Sequence, residues 1–399
     1  MTDGDRIKDA VLEQMDEVRP EAERLSAEIH AHPELGFEEV QASEWLTALL
    51  DEHGFRVDRG VADIPTAFRA SYRGGDGPVI ALLAEYDALP GVGHGCGHNL
   101  ICTASSAAAI ALRHAWPDLP GEIVVMGTPA EEGGGGKILM IDRGVFEGVD
   151  VSMMFHPNVR NSVNNRGLAM GHVDLTFTGR PAHSAVSPWL GRNAADAAML
   201  FFAGVNALRQ HVKPDARLHG VIVEAGDRAN IVPKRSHVEF MVRARLAEDM
   251  EAMMARVLDI ARGAALMTGT ELDHRRGLTY LDYRHSATLG GVAEENFARL
   301  AVPTVPVGPE TPAASGDGGN VSHVIPHLGF SVSISETPIP GHSDEWREAA
   351  ISPMGQEAMA IAARVMGMTC VDILTRPELL PRIREEHRAA LAASANGGR

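Results

Sequence analysis

Cysteine is scarce: Cys96, Cys102 and Cys370 are the three in 399 residues, too few and too scattered for a disulfide framework. Apolar runs are short as well. The opening Met-Thr-Asp-Gly-Asp-Arg has no apolar core of signal-peptide length, and no segment is expected to reach the uninterrupted apolar length that spans a bilayer. The expectation is a soluble, cytoplasmic chain with no membrane partner. Net positive charge is missing, since the formal net charge is -17. That balance argues against nucleic acid or an anionic membrane as a surface partner. Lysine is rare and arginine carries most of the basic charge, which reads as genome composition rather than mechanism. Nucleotide and serine-nucleophile motifs are absent too. The run Glu131-Glu-Gly-Gly-Gly-Gly-Lys137 lacks the first glycine and the Ser/Thr of a P-loop. Gly91 to Gly97 fails G-x-G-x-x-G because Cys96 fills the last glycine slot, and no G-x-S-x-G elbow occurs.

What is present is an ordinary globular composition, 45% hydrophobic and 22% charged, in a chain longer than one core usually fills. Apolar spacing predicts a helix over 5–31, with a second turn beginning at Pro20, and another over 38–53. Thr66 to Tyr72 and Val79 to Ala84 read as a hairpin around Arg73-Gly-Gly-Asp-Gly77. An alanine-rich helix over 100–115 follows, then buried strands at Glu122 to Gly127 and Val149 to Phe155. Strand, polar loop, helix, strand, polar loop is the alternation of an α/β domain, its site lying outside the carboxyl ends of the strands. From about residue 168 the pattern changes. A strand over 171–178, a helix over 192–210, strands near 218–225 and 236–245 and a helix over 248–263 make a β-α-β-β-α unit. The economical reading is α/β: one discontinuous domain of residues 1–167 and 286–399, interrupted by a smaller α+β insert of residues 168–285. The last dozen residues are expected to fray.

The chemistry concentrates at three strand ends: Gly93-His-Gly-Cys-Gly-His-Asn99, Ala130-Glu-Glu-Gly133 and Phe155-His-Pro157. Cys96, His98, Glu132 and His156 form a mixed sulfur, nitrogen and oxygen set suited to zinc or a similar transition metal. Alone, Cys-x-His usually marks buried packing; three such pieces at strand ends do not fit core packing. His342, in Gly-His-Ser-Asp, is the best-placed fifth ligand. His323 and His327 compete for that role but flank Val-Ile-Pro at what reads as a helix end, which favours structural roles. Such a set points to two divalent ions that activate water for attack on a carbonyl. Zinc comes first, with manganese, cobalt or nickel compatible with the same donors. Glu131 reads as the base. Most Glu-Glu pairs are merely solvated, but the four glycines that follow imply unusual backbone beside something bulky. Asp87, directly after a strand, is placed to orient a ligand imidazole; the bland alternative is a turn residue before Leu-Pro. In the insert, His183 occupies a turn, where histidine is usually just solvated. Asn230 and either Arg243 or Arg245 offer an amide and a guanidinium that can hold a carboxylate.

These strings, with His30-Ala-His-Pro-Glu-Leu-Gly-Phe-Glu-Glu39, Glu85-Tyr-Asp-Ala-Leu-Pro90, Gly127-Thr-Pro-Ala130 and Gly319-Asn-Val-Ser-His323, resemble the M20 metallopeptidase/amidohydrolase family. The likeness is to its amidohydrolase-type branch, subfamily D, and within that to the aminobenzoyl-glutamate hydrolase and M20-domain-containing protein 2 group, over nearly the whole chain. The resemblance implies a zinc-peptidase-type catalytic domain with an inserted lid that also mediates dimerisation, hence a homodimer. It implies metal ligation by Cys96, His98, Glu132, His156 and His342, with Glu131 as base. His183 matches a lid histidine that reaches across a dimer to the oxyanion, and Asn230 and Arg243 match contacts to a substrate carboxylate. Two departures stand out: Asn99 where many relatives carry Asp, and Ser315-Gly-Asp-Gly318 where Ser-Thr-Asp-Met is the associated pattern. The implied activity is hydrolysis of an amide bond in N-acyl or N-aroyl amino acids or dipeptides. The alternatives are attack on an aromatic substrate, such as hydrolytic deamination, or a metal-binding scaffold without turnover; an intact Glu131 speaks against the scaffold.

Overall fold

A computed structural model describes residues 2–308, 311 and 313–396. The chain divides into two compact units, one built from both ends of the sequence and the other from Gly167–Asp282 with Ala313–Ser315. Among the described residues the strands are β1 (Arg56–Arg59), β2 (Phe68–Arg73), β3 (Val79–Ala84), β4 (Glu122–Gly127), β5 (Val151–Asn158), β6 (Ser162–Val163), β7 (Ala169–Thr178), β8 (Arg217–Glu224), β9 (Arg235–Ala244), β10 (Glu271–Tyr280) and β11 (His327–Ser333).

The first unit carries a seven-stranded sheet in the order β1-β2-β4-β3-β5-β11-β6. Strands β4, β3, β5 and β11 run parallel, and β3 and β4 are apolar on both faces, the mark of strands covered on both sides. The expected hairpin does not form. Strand β4 inserts between β2 and β3, pairing antiparallel with the first and parallel with the second. A run such as Val-Ile-Ala-Leu-Leu-Ala is too apolar for a hairpin edge and takes the sheet centre instead. The helices Asp3–Ala31, His98–Ala115 and Pro353–Thr375 pack together. Every residue from His98 to Leu112 is buried, which its alanines, serines and threonine permit by letting backbones approach closely.

Three other expectations give way. Pro20 lies inside one continuous helix, Asp3–Ala31; it sits on the exposed face, where water can bond the carbonyl that a proline N–H would have served. The helix Pro353–Thr375 is long and apolar enough to cross a membrane, contrary to the expectation for the chain, but 78% of its apolar window is buried within the fold. The tail expected to fray is helical from Leu379 to Asn396, and its last three residues lie outside those described.

The second unit has an antiparallel sheet in the order β10-β7-β9-β8. Strands β7 and β9 alternate between buried and partly open positions. Their inward residues, among them Phe177, Val238 and Phe240, pack on the helices Ala194–Arg209 and Ala247–Thr268. Strand β10 was not expected: Glu-Leu-Asp-His-Arg-Arg is polar on both sides, as suits an edge strand whose residues are mostly exposed.

Candidate metal centre

Parallel strands deliver their carboxyl ends to one edge of a sheet, and β3, β4 and β5 do this with the groups in question. Glu85 and Asp87 follow β3, Glu131 and Glu132 follow β4, and His156 sits within β5, two residues before its end. The loop before the helix His98–Ala115 brings Cys96 and His98 to the same place. Gly97 makes this possible: its φ is 79°, and a Cβ there would meet Pro157 Cγ at 2.7 Å. Ala130 also has a positive φ, 57°. Its N–H donates to Glu39 Oε1 at 2.8 Å, so the buried carboxyl of the Glu38-Glu39 motif fixes the turn that aims Glu131 and Glu132.

Three overlapping groups have their donor atoms within 4.8 Å of one another: Cys96, His98 and His156; Cys96, Glu132 and His342; and His98, Glu131 and Glu132. All five sequence-expected ligands and the expected base are therefore gathered in the first unit. The groups overlap through Cys96, His98 and Glu132. Asp87 takes a defined position. Its Oδ1 lies 3.0 Å from His98 Nδ1, and its Oδ2 accepts from the Glu132 N–H at 2.9 Å. The Asp87 carbonyl is a further partner of His98 Nδ1, at 2.9 Å. With Nδ1 so occupied, Nε2 is the free donor of the imidazole. His342, at positive φ, has Nε2 3.4 Å from Glu132 Oε1. His323 and His327 stand apart: His323 caps the short helix Gly318–Ser322, and His327 is buried in β11 with Nδ1 2.9 Å from Ser152 Oγ.

The residues fit a cation. His98 Nε2, Glu132 Oε1 and Glu85 Oε2 are buried without a hydrogen-bond partner, which is costly unless something else satisfies them. Burial pushes the Cys96 thiol well above its ordinary value, against the pull of His98; a coordinated cation reverses that and makes the thiolate a ligand. The Glu131 carboxyl is held well above the usual range by burial, then by Glu85 and Asp317, with His98 opposing.

Sequence reasoning missed an ion cluster beneath this centre. Lys137 Nζ lies 2.6 Å from both Glu85 Oε1 and Asp317 Oδ1, all three side chains being buried. The Lys137 N–H donates to Asp317 Oδ2 at 2.9 Å. The signals were visible: a charge directly after an apolar strand, a lysine closing a glycine run in a lysine-poor chain, and an aspartate between glycines. The glycines around Asp317 have their own reason. A Cβ on Gly316 would stand 2.5 Å from Glu131 Oε1, and one on Gly318 2.4 Å from the Tyr283 hydroxyl. Larger residues there would displace both groups.

In the second unit, His183 and Asn230 lie on adjoining exposed loops, joined by a bridge between His183 and Ile231 and by the Ser184 N–H donating to the Asn230 carbonyl at 3.1 Å. Arg243 lies on β9, half-buried, and its Nη1 donates to Ser315 Oγ at 2.9 Å. Arg245 is not its alternate on the same strand face: β9 ends at Ala244, leaving Arg245 in an exposed bend.

Comparison with known proteins fixes the family. The chain is 35% identical over 403 aligned positions to the Xaa-Arg dipeptidase of Mus musculus, covering 96% of this chain and 93% of that protein. It belongs to the M20 peptidase family. Residues 163–266 of this M20 chain match the peptidase dimerisation domain. It is 38% identical to one of the p-aminobenzoyl-glutamate hydrolase polypeptides of Escherichia coli, over 70% of this chain and 62% of that one. Two solved structures share the fold. One is a putative aminohydrolase from methicillin-resistant Staphylococcus aureus, with TM-score 0.80 and 19% identity over 92% of this chain and all of that one. The other is the YXEP protein of Bacillus subtilis, a dinuclear metal-binding M20 peptidase, with TM-score 0.72 and 22% identity over 90% and 99%. The protein is a peptidase or amidohydrolase of this family.

Proposed function

We propose that this M20 enzyme is a binuclear metal-dependent amidohydrolase that cleaves dipeptides or N-acyl and N-aroyl amino acids bearing a free carboxylate. The observation that carries the proposal is the convergence of buried, unpartnered donor atoms within three overlapping ligand groups. Cys96, His98, Glu132, His156 and His342 would hold the cations. When bound, two divalent ions supply Lewis-acid polarisation of the scissile carbonyl and a water activated near neutral pH. Asp87 fixes the His98 imidazole, leaving Nε2 as its donor. Glu131 takes a proton from water at its carboxylate and returns it to the leaving amine nitrogen.

Recognition falls to the second unit. The Arg243 guanidinium and Asn230 amide bind the substrate carboxylate, and His183 donates to the developing oxyanion from the partner subunit of a homodimer. The match to a dimerisation domain supports the dimer, as does β8. That edge strand presents Val221, Ile222 and Val223 to solvent, an association-prone edge unless another strand or chain covers it. Three unpaired cysteines accord with a reducing cytoplasm. The two dipeptidase and aminobenzoyl-glutamate relatives set the substrate classes to screen. The deciding experiment measures metal content, then hydrolysis of basic dipeptides and N-acetyl, N-benzoyl and aminobenzoyl amino acids before and after chelation. Stoichiometric divalent metal, and activity that is lost on chelation and restored by zinc or manganese, is the expected result. A chelated enzyme that keeps its rate would refute the reading.

A further inference from the structure

Glu85 has no place in the ligand set above, yet it sits closer to His98 Nε2 than either glutamate of the Glu131-Glu132 pair. Glu85 Oε2 lies 3.5 Å from His98 Nε2, against 3.9 Å for Glu132 Oε1 and 4.0 Å for Glu131 Oε2. The geometry has three parts. First, both facing atoms are buried and lack a hydrogen-bond partner. At 3.5 Å they are too far apart to serve each other well, and a buried carboxylate oxygen left alone is expensive. Second, the other oxygen of Glu85 is pinned: Oε1 accepts from Lys137 Nζ at 2.6 Å, which leaves Oε2 aimed at His98. Third, His98 Nδ1 is tied to Asp87, so a cation on this imidazole binds at Nε2, the atom Glu85 faces. Two donors at ordinary zinc distances from one ion, about 2.0–2.2 Å each, stand roughly 3–3.5 Å apart.

We propose that Glu85 is an additional carboxylate ligand for the cation held by His98 Nε2, with Lys137 as its positioning residue. The inference rests on the metal-centre reading above and deepens it. Lys137 ties Glu85, at the end of β3, to Asp317 in the glycine-rich loop before β11. The lysine keeps two anions close together while leaving one oxygen of Glu85 unspent. It also explains why a charged residue ends the apolar strand Val-Ile-Ala-Leu-Leu-Ala.

The test is metal binding, read without turnover. Glu85→Gln keeps an amide oxygen for Lys137 and removes the ligating charge. Zinc affinity would be measured by chelator competition on wild type and variant, with the visible spectrum of the cobalt-substituted forms and the thermal midpoint of each metal-free protein. The expectation is that one of two zinc constants weakens about 10–100-fold and the cobalt bands shift, while the other constant and the midpoint hold. Should wild type bind two zinc ions and Glu85→Gln match it in both constants and in the cobalt spectrum, the role of Glu85 is refuted and the metal centre stands. Should wild type bind none of zinc, manganese, cobalt or nickel in stoichiometric amount, the centre itself is refuted. If Glu85→Gln does not fold, a crystal structure of zinc-loaded wild type decides. Glu85 Oε2 at a bonding distance from the ion on His98 supports the assignment, and an oxygen outside its coordination sphere overturns it.

Discussion

Both units of this chain gather histidine and carboxylate side chains, but under opposite conditions. In the second unit Asp174, His237 and Glu239 bring their donor atoms within 4.8 Å of one another on the open face of the sheet, as the first-unit groups do. There, however, Asp174 is satisfied from both sides, by His237 Nε2 at 3.2 Å and by Arg275 Nη2 at 3.2 Å. In the first unit His98 Nε2 and Glu132 Oε1 are instead buried and lack hydrogen-bond partners. Residue types and spacing are therefore a weak guide to a metal centre, and unsatisfied buried donors that converge on one another are a stronger one. The same contrast divides labour. Most groups of the centre stand at the ends of parallel strands, whereas His183 and Asn230, proposed above to meet the substrate, are exposed on loops.

The comparison breaks most sharply at Glu131. Glu131→Gln is expected to lower kcat on the order of 10²–10⁴-fold while metal content, measured by elemental analysis, stays at the wild-type level. Unchanged turnover would remove Glu131 as the base. His183→Ala comes next, at about 10²–10³-fold in kcat, the usual cost of an oxyanion donor. Mixed with Glu131→Gln subunits, it should regain activity in heterodimers, because one of the two sites then has both groups. Confirmed subunit exchange without recovery would mean that the histidine acts within its own chain.

How far the sequence carries this reading depends on where each residue lies. Cys96, His98, Glu132 and His156 were legible because glycine or proline flanks each piece and apolar strands precede them. The parallel sheet then had to bring those strand ends together. The Lys137 ion cluster went unread because its members are 52 and 180 residues apart, so the local signal at each residue did not name its partners. Glu39 was hidden for the same reason: its acceptor role depends on a turn 91 residues away. Strand β10 and the order of β2, β4 and β3 failed differently. The first has no apolar face, and the second is a matter of partner choice, which sequential proximity misjudged. Arg245 shows the limit of periodicity, since period-two reasoning holds only while the strand continues.

Asp87→Asn tests the metal-centre side of the contrast at smaller amplitude. An amide can still hold one partner but no longer fixes the His98 imidazole by charge, so zinc affinity should fall about 10–100-fold with little change in thermal midpoint. Equal affinity would reduce Asp87 to a turn residue. Arg243→Ala tests the recognition side. A hydrogen bond to a charged group is worth about 1.5–3 kcal/mol, so kcat/KM should drop about tenfold or more for substrates with a free carboxylate and hardly at all for their amides. Parallel losses on both would cancel the assignment.

The smallest effect concerns whether burial alone makes a histidine a ligand. His327 is as buried as His98 and its Nε2 likewise lacks a hydrogen-bond partner, but its Nδ1 meets Ser152 Oγ and it belongs to none of the ligand groups among the described residues. Burial, then the nearby His285 and Lys137, pull its pKa down to about 3. The sign follows from linkage. The unfolded chain takes up a proton near the ordinary value of 6.5 and the folded chain does not. The stability contribution is therefore complete above pH 6.5 and lost as pH falls toward 3. Two units below the unfolded value, at about pH 4.5, the loss is about 3 kcal/mol. His327→Asn keeps a partner for Ser152 and cannot protonate. Its unfolding free energy should consequently decline less than that of wild type between about pH 7 and about pH 4.5, by about that amount, with zinc binding unchanged. Identical pH slopes would mean that His327 is protonated in the fold, and weakened zinc binding would return it to the ligand candidates.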